Sequence, residues 1–132
     1  MYLIDSSVWI EYLRPSGSPK IKARVRKILE SEEAVTCGVV VVEILRGART
    51  EKDFKVLRDS LCSLPAIPIN GEVIERASRW GFLLDRKEKQ VPTTDLIIAS
   101  CAHKKARLLH ADKDFEVIAS ICDLEQERPQ PT

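Results

Sequence analysis

The sequence predicts a single α/β domain with a central parallel sheet of four to five strands and helices on both faces. Two observations carry that expectation. Short uncharged apolar runs, Tyr2-Leu3-Ile4 first among them, alternate with segments whose apolar residues recur at helical spacing. The 132 residues suffice for one hydrophobic core without disulfides or a structural metal, and no internal repeat or linker breaks the alternation.

In chain order, Tyr2 to Ile4 reads as a strand buried on both faces. Asp5 ends it and so falls at the carboxyl edge of the sheet, where open α/β folds bind ligands. Asp5 also suits a cap or turn. Val8, Trp9, Tyr12 and Leu13 then mark a helix, with Ser6 or Ser7 as its expected cap. Ser18 and Pro19 open a surface helix with the apolar stripe Ile21, Val25, Ile28 and Leu29. Ala34 to Cys37 is the second strand.

Four consecutive valines within Gly38 to Leu45 favour a short strand, followed by a helix that closes on Gly47. Thr50 caps a helix carrying Phe54, Val56, Leu57 and Leu61. Ala66 to Ile69 is a short strand that Pro68 places near an edge. Asn70 caps a helix with Val73, Ile74, Ala77 and Trp80 on one face. Asp95 opens a helix of small and aliphatic residues, Arg107 to His110 is a strand, and Asp114 is placed as N-cap of a short helix through Phe115 and Ile118. Ile121 to Leu124 is expected as the last strand, before a disordered tail.

Hydrophobic residues at 44% and charged ones at 31% describe a soluble globular chain. No basic leader or spanning apolar run is present, so the cytoplasm is expected and a membrane is not. Cys37, Cys62, Cys101 and Cys122 form no C-x-x-C pair and read as small buried hydrophobes. A formal charge of +1 gives no global case for a polyanionic partner. Basic residues nevertheless cluster, at Arg46 and Arg49 and again at Lys104, Lys105 and Arg107.

The chemistry lies in the acids. Asp5, Glu43, Asp95 and Asp112 each fall where the carboxyl edge of one sheet gathers them. Like charges about 5 Å apart repel by about 3 kcal/mol per pair at an effective dielectric of about 20. A divalent cation relieves that repulsion, and all-oxygen ligation suits Mg²⁺ or Mn²⁺. Such an ion also activates water and stabilises charge on a phosphodiester. His103 and His110 lack zinc-ligand spacing and are expected to be structural or surface residues. A phosphoacceptor receiver wants an acidic pair where Asp5-Ser6 stands, and a haloacid-dehalogenase-type phosphatase wants a second Asp where Ser7 stands. Neither fits.

The blocks Asp5-Ser6-Ser7-Val8-Trp9-Ile10, Glu43-Ile44-Leu45-Arg46-Gly47, Thr94-Asp95-Leu96-Ile97-Ile98-Ala99 and Leu108-Leu109-His110-Ala111-Asp112-Lys113-Asp114-Phe115 resemble, in order, those of PIN-domain ribonucleases, above all the VapC-like toxins of prokaryotic toxin-antitoxin pairs. The resemblance implies a PIN-like domain over residues 1–126 with a tail at 127–132. It implies a metal-dependent endoribonuclease acting on RNA, inhibited by a cognate antitoxin and forming a homodimer. Asp5, Glu43, Asp95 and Asp112 match its acidic positions, with Asp5, Asp95 and Asp112 expected on the metal. Ser6 or Ser7 offers the hydroxyl near the first acid, and Arg46, Arg49, Lys104 and Lys105 are expected to meet substrate. His110 departs from the pattern, which usually has Thr there. The rival reading is a non-catalytic RNA-binding or regulatory module that kept the fold.

Overall fold

The structure, a computed structural model, describes residues 1–131, so Thr132 of the expected tail lies outside the described residues. In chain order the elements are β1 (Tyr2–Ile4), α1 (Ser6–Leu13), α2 (Pro19–Glu30), β2 (Ala34–Val35), α3 (Gly38–Leu45), α4 (Glu51–Cys62), α5 (Gly71–Arg86), α6 (Thr93–Ala102), β3 (Arg107–Leu109), α7 (Asp114–Ala119) and β4 (Gln126–Glu127). The sheet has the order β2-β1-β3-β4 and every pairing is parallel. Tyr2 stands opposite both Ala34 and Arg107, which aligns the carboxyl ends of β2, β1 and β3. Successive strand side chains point to opposite faces, and Leu3, Ile4, Leu108 and Leu109 are all fully buried. Both faces of the sheet are therefore covered, as the uncharged runs predict.

This order fixes where a site can form. The chain leaves β1 on one side to make β2, then crosses back to make β3 on the other. Between β1 and β3 lies the switch point, the crevice at which open parallel sheets hold ligands. Asp5 follows β1 there, and His110 to Asp112 follow β3.

Three expected elements change. Gly38 to Leu45 is helical throughout, without the expected strand. Val40 and Ile44 are buried while Val42 is exposed, so packing on a helical period overrides the β preference of the valines. Ala66 to Ile69 shrinks to one bridge between Thr36 and Ala66, because the ladder ends where Pro68 has no N–H to give. The last strand is Gln126–Glu127 rather than Ile121 to Leu124. Ile121 donates back to the Ile118 carbonyl, while Leu108 and His110 donate to Glu125 and Glu127. Four strands result among the described residues. Ile74 turns outward, leaving Val73, Ala77, Trp80 and Leu84 as the inner face of α5.

Three contacts set α6, and with it Asp95. Ser100 Oγ donates to the Val73 carbonyl at 2.8 Å, and Arg76 donates to the Ser100 carbonyl at 2.7 Å. A Cβ on Gly81 would lie 2.9 Å from Leu96 Cδ1, so the glycine lets α6 approach α5 closely. No helix among the described residues is long and apolar enough to cross a membrane.

β4 is fastened by Arg24 of α2, which holds both Glu127 carboxylate oxygens at 2.7 and 2.8 Å and the Tyr2 hydroxyl at 3.0 Å. Glu127 thus belongs to the sheet rather than to the tail, and Ser18 Oγ donates to the Pro131 carbonyl at 2.6 Å. The Arg24 guanidinium holds the Glu127 carboxyl below its usual range. That stabilisation is complete above the unfolded carboxylate range and is lost as pH falls through the folded value. Arg24→Met should cost about 1–3 kcal/mol in thermal or urea unfolding at pH 7. The deficit should shrink on acidification as Glu127 is protonated in both proteins.

Candidate metal and active site

The first acid is placed by its own backbone. Asp5 N–H donates to the Leu109 carbonyl at 2.9 Å, which pins the end of β1 to β3. Asp5, not Ser6 or Ser7, is the N-cap of α1: its Oδ2 accepts from the Ser7 amide at 3.0 Å and the Ser7 hydroxyl at 2.5 Å. The other oxygen, Oδ1, is buried and has no protein partner. Capping and site duties therefore fall on different oxygens of one carboxylate that is only 3% exposed. Burial pushes the Asp5 carboxyl up, against the Ser7 and Ser6 hydrogen bonds that hold it down.

Ser7 reaches further. Its hydroxyl, donating to Asp5, also accepts the Ala111 N–H at 3.0 Å and so couples the corner after β1 to the loop after β3. Ser6 donates to Glu43 Oε1 at 3.1 Å across to α3. The Glu43 carboxyl is raised by burial and then by Asp5, with Ser6 and Arg46 opposing.

Asp95 sits in the first turn of α6, and its Oδ2 is likewise buried without a partner. Burial, then the charge of Asp5, then Asp112, Asp114 and Glu43, push its carboxyl up to about 7. Carboxylate oxygens of Asp95, Asp112 and Asp114 all lie within 4.8 Å of one another. At that spacing each ionised pair repels by about 3 kcal/mol at an effective dielectric of about 20.

The corner after β3 differs from the sequence-based expectation. Asp114 is not the N-cap of α7: Lys113 holds that place, without a side-chain cap. The stabilising acceptor is Asp112, whose Oδ1 takes the Asp114 N–H at 2.9 Å. Asp114 instead joins the acid cluster. Its place directly before Phe115 and Ile118 imitates a cap in sequence, whereas the Asp-x-Asp spacing after a strand is the signal that marks both acids.

Among the expected substrate contacts, Arg46 caps α3 close enough to lower the Glu43 carboxyl, and Arg49 borders a shallow depression with Leu13, Asp53 and Val56. Lys104 and Lys105 are not brought to the acids. They line a recess with Met1, Tyr2 and Arg107 at the amino ends of β1 and β3. Helix α6 separates them from Asp95 by its length, about 15 Å at the usual rise.

The donors suit a hard divalent cation. All are carboxylate oxygens, two of them buried and unpartnered, and the cluster carries more negative charge than its hydrogen bonds offset.

Residues 2–121 match the family model of the PIN domain. VapC ribonuclease Mb1587 of Mycobacterium bovis is 33% identical over 130 residues, an alignment covering 95% of this chain and 96% of that protein. In fold, the chain superimposes on FitAcB from Neisseria gonorrhoeae with TM-score 0.78 at 19% identity, over 99% of this chain and 98% of the other. A toxin-antitoxin complex from Klebsiella pneumoniae gives TM-score 0.70 at 20% identity, over 100% and 98%. With a family model over most of its length and an end-to-end relationship to a named ribonuclease, this chain belongs to the PIN domain family, among the VapC ribonucleases.

Proposed function

We propose that the protein is a metal-dependent endoribonuclease that hydrolyses RNA phosphodiester bonds, and that it is the toxin of a type II toxin-antitoxin pair working in the cytoplasm. The observation that carries the catalytic reading is the cluster of Asp95, Asp112 and Asp114 within 4.8 Å, together with Asp5, whose charge acts on Asp95 and whose buried Oδ1 has no partner. Kinship with proteins named VapC ribonucleases supports RNA as substrate, and the fold shared with a toxin-antitoxin complex supports a cognate antitoxin. A module that only bound RNA would gain nothing from burying carboxylates against one another, so the non-catalytic alternative is not favoured.

In this reading Asp5, Asp95, Asp112 and Asp114 would hold Mg²⁺ or Mn²⁺, Asp114 sharing a role the sequence assigned to Asp112 alone. The bound ion supplies Lewis acidity toward water and toward the phosphodiester oxygens. Ser7 keeps Asp5 oriented through Oδ2 and leaves Oδ1 free. Glu43, held by Ser6 through one oxygen and raised by burial, is poised to take a proton. Arg46 neutralises a substrate phosphate beside Glu43. Lys104 and Lys105 would meet only RNA long enough to pass the far end of the sheet.

Purified protein should cut single-stranded RNA with Mn²⁺ or Mg²⁺ and stop with EDTA, and Asp5→Asn, which keeps the cap but loses the charge, should lower the rate by orders of magnitude with its fold intact. Cleavage that persists in EDTA would remove the metal from the mechanism. Neutralising Arg46 and Arg49 should weaken RNA binding and flatten its salt dependence, whereas neutralising Lys104 and Lys105 should leave short oligonucleotides unaffected. Equal effects from both pairs would put the substrate path elsewhere.

Stability should also depend on pH. A carboxyl raised in the folded state binds its proton there while the unfolded chain has lost it, so metal-free stability falls as pH rises from the unfolded range toward about 7. Melting temperatures of metal-free protein should drop from pH 5 to pH 8, and saturating Mn²⁺ should flatten or reverse that trend.

A further inference from the structure

His110 is fully buried at the end of β3, yet every polar atom of its ring is used. Its Nδ1 accepts the Asp112 N–H at 3.2 Å, and its Nε2 lies 2.6 Å from Gln126 Oε1 on β4. A ring nitrogen that accepts an amide proton carries the lone pair, so Nε2 carries the hydrogen and donates it to Gln126. The ring packs on Phe115, with centroids 5.0 Å apart and planes at 51°. Next in line, the Asp112 carboxylate accepts the Asp114 N–H at 2.9 Å. A continuous chain of hydrogen bonds therefore runs from the edge strand through the imidazole to the backbone that presents two members of the acid cluster.

We propose that His110 is a positioning residue for the metal corner: by fixing the Asp112 amide it sets the backbone from which Asp112 and Asp114 project. The inference rests on the metal reading above. Both ring nitrogens are engaged away from the cluster oxygens, so the imidazole acts through the amide of Asp112, as outer groups tune a metal site by orienting its ligands. A fully apolar residue of the same size would fill the space and leave both the Asp112 N–H and Gln126 without their buried partner.

The two ring nitrogens can be replaced separately. In His110→Asn the amide oxygen occupies the Nδ1 position and can take the Asp112 N–H as an Asx turn, while the contact to Gln126 is lost. In His110→Gln the amide reaches the Nε2 position and keeps Gln126, while the acceptor for Asp112 is lost. Mn²⁺ affinity, measured by calorimetry or by electron paramagnetic resonance on the full chain, should stay within about threefold of wild type in His110→Asn. In His110→Gln it should fall about 10- to 100-fold. Melting temperature in the absence of metal should follow the opposite order, because only the asparagine leaves a void and an unpaired Gln126.

Affinity that tracks melting temperature across the two variants, or a glutamine variant that binds Mn²⁺ like wild type, would overturn the positioning role. Should either variant fail to fold, the imidazole ¹⁵N spectrum of wild-type protein decides: an unprotonated Nδ1 supports the proposal, and a protonated Nδ1 overturns it. Asp95→Asn is the control for the metal reading itself. If wild type and Asp95→Asn bind Mn²⁺ equally, that reading falls and the inference falls with it; if only Asp95→Asn loses the ion, the histidine variants test the inference alone.

Discussion

Mutual repulsion among carboxylates at the switch point is the constraint around which this molecule is built. Asp95, Asp112 and Asp114 share a space of less than 5 Å, and Asp5 adds the largest charge effect on Asp95. Repulsion of that size is comparable with a substantial part of a small domain's net stability, so the surrounding frame must hold the acids against it. The parallel register of β1 and β3, pinned by Asp5 to Leu109, supplies the base of that frame. Helix α6, locked to α5 through Ser100 and the Gly81 contact, brings Asp95 in from above the strand ends.

Short polar side chains translate that frame into orientation. Ser7 is shared between Asp5 and the Ala111 amide, so the corners after two neighbouring strands cannot move independently. Ser6 ties Glu43 on α3 to the start of α1. His110 links β4 to the Asp112 amide, and Arg24 secures β4 in turn through Glu127. Ser7, His110 and Arg24 each bridge two separate parts of the chain, and Ser6 adds one cross-link of its own. Asp5 and Glu43 each gain orientation through one oxygen and keep the other for a ligand.

Asp5, Glu43, Asp95 and Asp112 stood out in the sequence because an acid that ends, opens or interrupts an apolar run has few structural reasons to be there. The short strand before Asp5 and the caps at Ser18, Thr50 and Asn70 were legible for similar local reasons. What stayed hidden depends on three-dimensional packing. The valines of α3 are strand formers whose burial period is helical, which only the neighbours of Val40 and Ile44 decide. Asp114 imitates a cap because Phe115 and Ile118 follow it, although Asp112 already satisfies its amide. Lys104 and Lys105 stand close in sequence to Asp112, yet β3 runs between them and places them at opposite ends of the sheet. His110 was read as a structural or surface residue; it is fully buried, and that reading omits its acceptor role.

In the proposed reading these carboxylates form one cation site, buried and crowded enough for Asp95 to retain a proton near neutrality. Counting protons released on Mn²⁺ binding tests it directly, by calorimetry in buffers of different ionisation enthalpy. With Asp95 raised to about 7, binding at pH 6 should release close to one proton per ion, and the release should fade above pH 8. Mn²⁺ binding with no proton release at pH 6, or no binding at all, would contradict that reading.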